Sequence, residues 1–311
     1  MKKQLLLPFI LFSIVCSQPV IAAPPQVIVS IPPLHALASG VLEGVTTAKL
    51  LIQTGSPHSY SLRPSDARAL QEADLLIWVG PQLELFLTHS QQNLGAGRSL
   101  TLIDLPGLHR PALRHGGLWA EETTETAPAH DHGHDDDNDG DAHIWLDPDN
   151  AALIVKAIAD RVTALDPVNG VRYQQNGADY IHRLRSLDHE LKTRLQPVQQ
   201  QPYVVFHDAF QPFEQHYDLH PVGAIAIDPE RRPGARRLQE IRDVLLQAKA
   251  VCLFREPQFE PRYVPLLIEG TQVRTGILDP LGSSLTPGPE LYFDLLRNLT
   301  DSLVSCLDET P

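Results

Sequence analysis

Short apolar runs and helix-like segments take turns along most of this chain, and that alternation is the strongest constraint on its fold. Residues 27–30 read as a strand, 34–42 as a helix ended by Gly44, and 48–52 as a second strand closed by Gly55. Ser65 is placed to cap a helix over 66–72. A strand over 75–79, a helix over 84–90 and a strand over 100–103 follow. The same rhythm returns later: strands over 203–206, 222–227, 250–254 and 273–278, with helices over 209–216, 238–248, 263–269 and 291–307. Strand alternating with helix predicts parallel sheets covered by helices.

Between the two runs lies a helix over 150–164, with Asp147 or Asp149 as its cap, and then a long helical stretch over 167–195. Ile181, Leu184, Leu187, Leu191 and Leu195 follow at steps of 3, 3, 4 and 4, which marks one apolar face. At 1.5 Å per residue the stretch is about 40 Å long, the scale of a domain. The predicted class is therefore α/β: two lobes, each a parallel sheet flanked by helices, joined by one long rigid helix. The expected boundaries are a first lobe over 23–166, the linking helix over 167–196 and a second lobe over 197–311. The lobes echo each other in structure rather than in sequence.

The N-terminus carries a different signal. Lys2 and Lys3 precede an apolar run over 5–15, and Val20-Ile21-Ala22 offers small residues before Ala23. That is the layout of a secretory signal peptide over 1–22, too short for a comfortable membrane span, and it implies export. An uncleaved anchor is the alternative. Cys16 suggests lipid attachment only weakly, because Val15 is a poor neighbour for that processing. No later stretch reaches ~18 apolar residues, so the mature chain is expected to be soluble.

Removing residues 1–22 takes Cys16 away and leaves Cys252 and Cys306. An exported pair allows one disulfide, closing a loop of about 55 residues worth roughly 4 kcal/mol in the chain-entropy model. Two buried thiols are the alternative. In either case no thiolate remains for metal binding or nucleophilic chemistry. The formal charge is −13, and −15 without Lys2 and Lys3. Such a surface repels phosphate backbones, which argues against a nucleic-acid partner.

Residues 116–142 break the α/β rhythm. His130, His132 and His134 sit among Asp131, Asp135, Asp136, Asp137, Asp139 and Asp141 with no apolar periodicity, so a mobile loop is expected. Asp135, Asp137, Asp139 and Gly140 match the start of a calcium loop. The closing glutamate would fall at Leu146, so the match fails where a bidentate ligand is needed. Phosphate-loop, dinucleotide, zinc-protease and nucleophile-elbow motifs are absent from the sequence.

Of 14 histidines, His89, His182, His189, His216 and His220 lie in helical or turn contexts and read as structural. Three are better placed. His58 follows the second strand, His207 sits at a strand-to-helix turn, and His143 opens a segment just before a helix. Asp279 ends the last strand of the second lobe. In open α/β sheets, ligands bind outside the carboxyl ends of strands. Read singly, each of the four is more readily a satisfied polar residue than a ligand.

Their surroundings carry a resemblance. His58-Ser59-Tyr60-Ser61-Leu62-Arg63-Pro64-Ser65-Asp66, then Ala73-Asp74-Leu75-Leu76-Ile77-Trp78-Val79-Gly80-Pro81, are followed in order by His143-Ile144-Trp145-Leu146-Asp147-Pro148 and Phe206-His207-Asp208-Ala209-Phe210. Glu256-Pro257-Gln258-Phe259, Leu278-Asp279-Pro280-Leu281-Gly282 and the two late cysteines complete the set. Over essentially the whole mature chain this resembles the cluster A-I metal-binding proteins of bacterial ABC importers, in their periplasmic zinc-uptake branch. The His-rich acidic insertion before His143 is typical of that branch.

The resemblance implies a cleft site for Zn2+, carried as cargo, with His58 and His143 from the first lobe and His207 from the second. Asp279 lies where many relatives place a carboxylate ligand. Some zinc-branch members have an acid before the first histidine; here Pro57 stands there, so the fourth position is Asp279 or water. Neutral imidazoles suit tetrahedral zinc, whereas manganese relatives usually carry an acid at the position of His207. Because imidazole must be deprotonated to bind, affinity should fall below about pH 6. The resemblance further implies a periplasmic monomer that hands zinc to an inner-membrane ABC permease and is not an enzyme. A zinc-dependent hydrolase and a manganese or iron receptor of the same fold are the rivals. His130, His132 and His134 either gather zinc for the cleft or belong to a merely solubilising insertion.

Overall fold

The computed structural model describes residues 23–95, 97–114, 140–226, 233–247, 249–259 and 263–308. The expected signal segment and His130, His132 and His134 lie outside the described residues. Two four-stranded sheets are present, and every strand pairing within them is parallel. The first contains β1 (Val27–Val29), β2 (Ala48–Leu50), β3 (Leu75–Trp78) and β4 (Ser99–Thr101), in the order β2-β1-β3-β4. The second contains β5 (Tyr203–His207), β6 (Pro221–Ala226), β7 (Cys252–Arg255) and β8 (Arg274–Ile277), in the order β6-β5-β7-β8. The orders are the same, so the expected echo is topological. In each sheet the strand order reverses beside the first strand, which opens a crevice between β1 and β3 and another between β5 and β7.

Helices α1 (Pro32–Leu42), α2 (Pro64–Glu72), α3 (Thr88–Asn93) and α4 (Pro148–Leu165) belong to the first lobe. Four of the remaining helices are α6 (Gln211–His216), α7 (Ala235–Gln247), α8 (Val264–Ile268) and α9 (Leu291–Leu307). Between the lobes runs α5 (Gly170–Leu195), 26 residues long. Its buried face carries Tyr173, Gly177, Tyr180, Leu184, Leu187, Leu191 and Leu195, close to the face read from the sequence. Gly40 in α1 lets this helix approach, since a Cβ there would sit 2.2 Å from the Tyr180 ring.

The linking helix does not act alone. Arg183 pairs with Glu290, Arg297 with Glu190, and Arg194 with Asp301, each pair 107 residues apart. A constant offset means that α9 runs parallel to α5 in fixed register. The Tyr180 and Phe293 rings meet at 4.9 Å along the same seam. A disulfide from Cys252 in β7 to Cys306 in α9, with Cα atoms 6.2 Å apart, ties α9 back to the second sheet. One continuous apolar core runs from Val29 and Leu37 through Trp145 and Leu187 to Phe213 and Leu296, so both lobes share it.

Local differences from the sequence reading have physical causes. The helix over 66–72 begins earlier, at Pro64, a residue pre-set for the first helical turn. Ser65 is not its cap. Asp66 accepts from the Arg63 backbone N–H instead. The segment over 84–90 splits into a 3-10 turn at Leu85–Leu87 and then α3. Residues 102 and 103 leave β4 for a 3-10 turn, Leu102–Asp104. The long helix starts at Gly170, because the Asp166 carboxylate gathers the N–H and side chain of Asn169 into a preceding turn.

Candidate metal centre

His58 enters from the loop after β2. Gly55 takes φ +91°, a turn that side chains disfavour, and Ser56 Oγ then accepts from the His58 N–H at 3.2 Å. His143 is placed by the residues just before it. Ala112 and Gly140 form an antiparallel bridge, and Asp141 N–H donates to the Pro111 carbonyl at 2.8 Å. Asp141 Oδ1 then accepts twice, from His143 N–H at 2.8 Å and from His143 Nδ1 at 2.7 Å. His207 is the last residue of β5, at the crevice of the second sheet. Its Nδ1 lies 2.9 Å from Glu256 Oε1, just past the end of β7.

The three rings converge. Centroids are 5.6 Å apart for His58 and His143, 5.6 Å for His58 and His207, and 5.0 Å for His143 and His207. One ring nitrogen of each lies within 4.8 Å of the others. With Nδ1 of His143 and His207 turned to carboxylates, Nε2 of each is the nitrogen left to face a shared ion. A carboxylate behind an imidazole fixes its tautomer and raises its basicity, which is the usual support of a metal-binding histidine.

The enclosure is tight. Trp145, Phe259, Pro280 and Leu281 help to wall it, and the space is about 10 Å³, room for one water-sized particle. Trp145 joins the lobes: its Nε1 donates to the Pro280 carbonyl at 2.8 Å, and its own carbonyl accepts from Tyr292 Oη at 2.6 Å. Arg114 joins them again beside His207, bonding Asp208 at 3.0 Å and Glu214 at 2.7 Å.

The electrostatics follow from this burial. Burial alone would lower the pKa of His143, but the carboxylates of Asp141, Glu256 and Asp208 together outweigh it and the net shift is upward. Burial pushes the Glu256 carboxyl well above the usual range, against the opposing charge of His143. Burial also raises Asp208 to about 7, with Arg114 pulling the other way.

Asp279 is not among the grouped ligand atoms. Its Oδ1 accepts from Leu281 and Gly282 N–H and from Gln258 Nε2; its Oδ2 accepts from Ser283 N–H and Oγ. Asp141 and Glu256 are the two site residues that the sequence reading left without a role. Asp141 is hidden within an acidic run, and no spacing connects residue 256 to residue 207.

The sequence model of a family described as ZnuA, the periplasmic component A of a zinc-uptake complex, matches residues 27–306. The high-affinity zinc uptake system protein ZnuA of Brucella suis biovar 1 is 40% identical over 310 residues, spanning 91% of this chain and 92% of that protein. The protein of the same description from Yersinia pestis is 36% identical over 302 residues, spanning 95% of each. The fold also superposes on a solved zinc-bound ZnuA deletion mutant, with a TM-score of 0.74 at 22% identity, covering 92% of this chain and 99% of the other. Its sequence, from β1 to the end of α9, places this chain in the ZnuA family of periplasmic zinc-uptake proteins.

Proposed function

We propose that the chain captures Zn2+ in the periplasm and delivers it to an inner-membrane ABC permease. The observation that carries this reading is the meeting of His58, His143 and His207, contributed by both lobes, with Asp141 and Glu256 behind two of the rings. Three imidazoles in an enclosed, ion-sized space suit tetrahedral zinc. A manganese or iron site would call for more oxygen donors. A dication at Nε2 also favours the ionised form of a buried carboxylate behind the ring, so zinc and Glu256 support each other.

We assign the fourth position to solvent. Each oxygen of Asp279 already accepts at least two hydrogen bonds, and moving it toward the ion would break part of its own turn. The role is binding and transport rather than catalysis: a space of about 10 Å³ has no room for an organic substrate beside the metal, where ligand pockets typically run to ~300 Å³ or more. Residues 1–22 act as a cleaved export signal, the mature chain works as a monomer, and His130, His132 and His134 gather zinc and pass it to the cleft. The lobes correspond to 23–166 and 197–311, with 167–196 between them. Release follows docking to the permease.

Metal analysis of protein purified without added metal tests the reading, repeated with His58, His143 and His207 each changed to alanine. One tightly retained zinc in the parent and its loss in each variant is the expected result. Retention of manganese over zinc in competitive titration would overturn the zinc assignment.

A further inference from the structure

A second group of potential ligands lies apart from the three cleft histidines, where α4, α5 and α6 meet. His216 ends α6, Asp147 caps α4, Asp149 lies in the first turn of α4, and Asp188 lies on α5. His216 Nδ1 is 3.3 Å from Asp147 Oδ1 and 3.9 Å from Asp149 Oδ2. One ligand atom from each of these three residues lies within 4.8 Å of the others. Edges of this size suit a shared cation, since two ligands each ~2.0–2.1 Å from a tetrahedral zinc lie a little over 3 Å apart.

The supporting contacts repeat the logic of the cleft. His216 Nε2 is 2.7 Å from Asp188 Oδ1, which turns Nδ1 toward Asp147 and Asp149. His109 Nδ1 holds Asp147 Oδ2 at 3.1 Å, while Oδ1 caps α4, accepting from Asp149 N–H at 2.8 Å and Asn150 N–H at 3.4 Å, and faces His216 Nδ1 at 3.3 Å. Carboxylate-oriented imidazole of this kind is common behind bound metals. Asp149 is 84% exposed, so an ion reaches the group directly from solvent.

We propose that His216, Asp147 and Asp149, with solvent in the open position, form a second and weaker Zn2+ site pinning α6 of the second lobe to the start of α4 in the first. Two features make it the weaker one. The proton on His216 Nδ1, which faces Asp147, must leave when a cation binds there, while Nε2 stays on Asp188. The positive end of α4 also opposes a cation close to its first turn. Bound zinc replaces an ion pair between the lobes by coordination bonds, so it stiffens the joint without touching the cleft histidines.

The test is zinc titration of the full chain carrying His130→Ala, His132→Ala and His134→Ala, so that these imidazoles do not compete. Two ions per chain are expected, one tight and one weak. His216→Ala should remove the weak one and keep the tight one. Asp149→Asn, a change at an exposed residue, should weaken the second ion by at least about tenfold. It serves as the readout if His216→Ala does not fold. His58→Ala should remove the tight ion and leave the weak one, which separates this site from the cleft. A stoichiometry of one in the parent, or a second ion indifferent to both His216→Ala and Asp149→Asn, would overturn the proposal and leave His216 as an ion-pair residue only.

Discussion

Glu256 and His207 lie 49 residues apart in sequence, yet Glu256 Oε1 sits 2.9 Å from His207 Nδ1, with both side chains almost wholly buried. The strand order of the second sheet explains the meeting, because β5 and β7 are neighbours and each ends at the same crevice. Glu256→Gln keeps the shape and removes the charge that favours a bound dication. Zinc affinity, measured by competition with a chromophoric chelator, should fall by about 10–100-fold while one ion per chain is still bound. Unchanged affinity would remove Glu256 from the site.

Asp141 does the same for His143, which bears on any attempt to excise the His-rich segment. Arg110 Nη2 bonds the Gly140 carbonyl at 2.8 Å, and Ala112 bridges to Gly140, so the two ends of that segment are clipped together. Deleting residues 116–139 should leave cleft affinity near the parent value. Extending the deletion to residue 141 removes the carboxylate behind His143 and should cost about 10–100-fold. Equal affinities for the two deletions would show that Asp141 has no orienting role.

Much of the fold was legible because parallel sheets with both faces covered write themselves as apolar runs, as at Leu75–Trp78 and Tyr203–His207. The three histidines were legible from family motifs and from their places near strand ends. The carboxylates behind them were not, since Asp141 reads as one of many acids and Glu256 reaches His207 only through sheet order. The α5–α9 register was equally hidden, because a 107-residue offset leaves no local pattern. His216 looked like an ordinary helix-end residue until Asp147 and Asp188 were brought to either side of it.

Asp279→Asn separates a ligand from a turn residue. The change should cost about 1–3 kcal/mol of stability through lost hydrogen bonds to a charged group, read as a lower denaturation midpoint. Zinc affinity should stay within about tenfold of the parent. A hundredfold or greater loss would make Asp279 the fourth ligand.

Glu84 gives a stability signal remote from the histidines. Burial pushes its carboxyl up to about 7, against a hydrogen bond from the Gly80 backbone N–H at 3.0 Å. A pKa raised on folding contributes stability that is fully present below the unfolded value near 4.5 and is lost as pH rises through 7. The zinc-free protein should therefore lose on the order of 3 kcal/mol between pH 5 and 8 from this group. Glu84→Gln should flatten that slope in denaturant titrations at the two pH values. A slope identical to the parent would show that Glu84 is already ionised in the fold.

X-ray absorption at the zinc edge, on the full chain loaded with one equivalent of zinc, tests the central claim most directly. Three imidazole nitrogens and one oxygen at about 2.0–2.1 Å are expected, with one imidazole lost in each of the His58→Ala, His143→Ala and His207→Ala variants. A first shell with fewer than three imidazoles, or one unchanged by these substitutions, would contradict it.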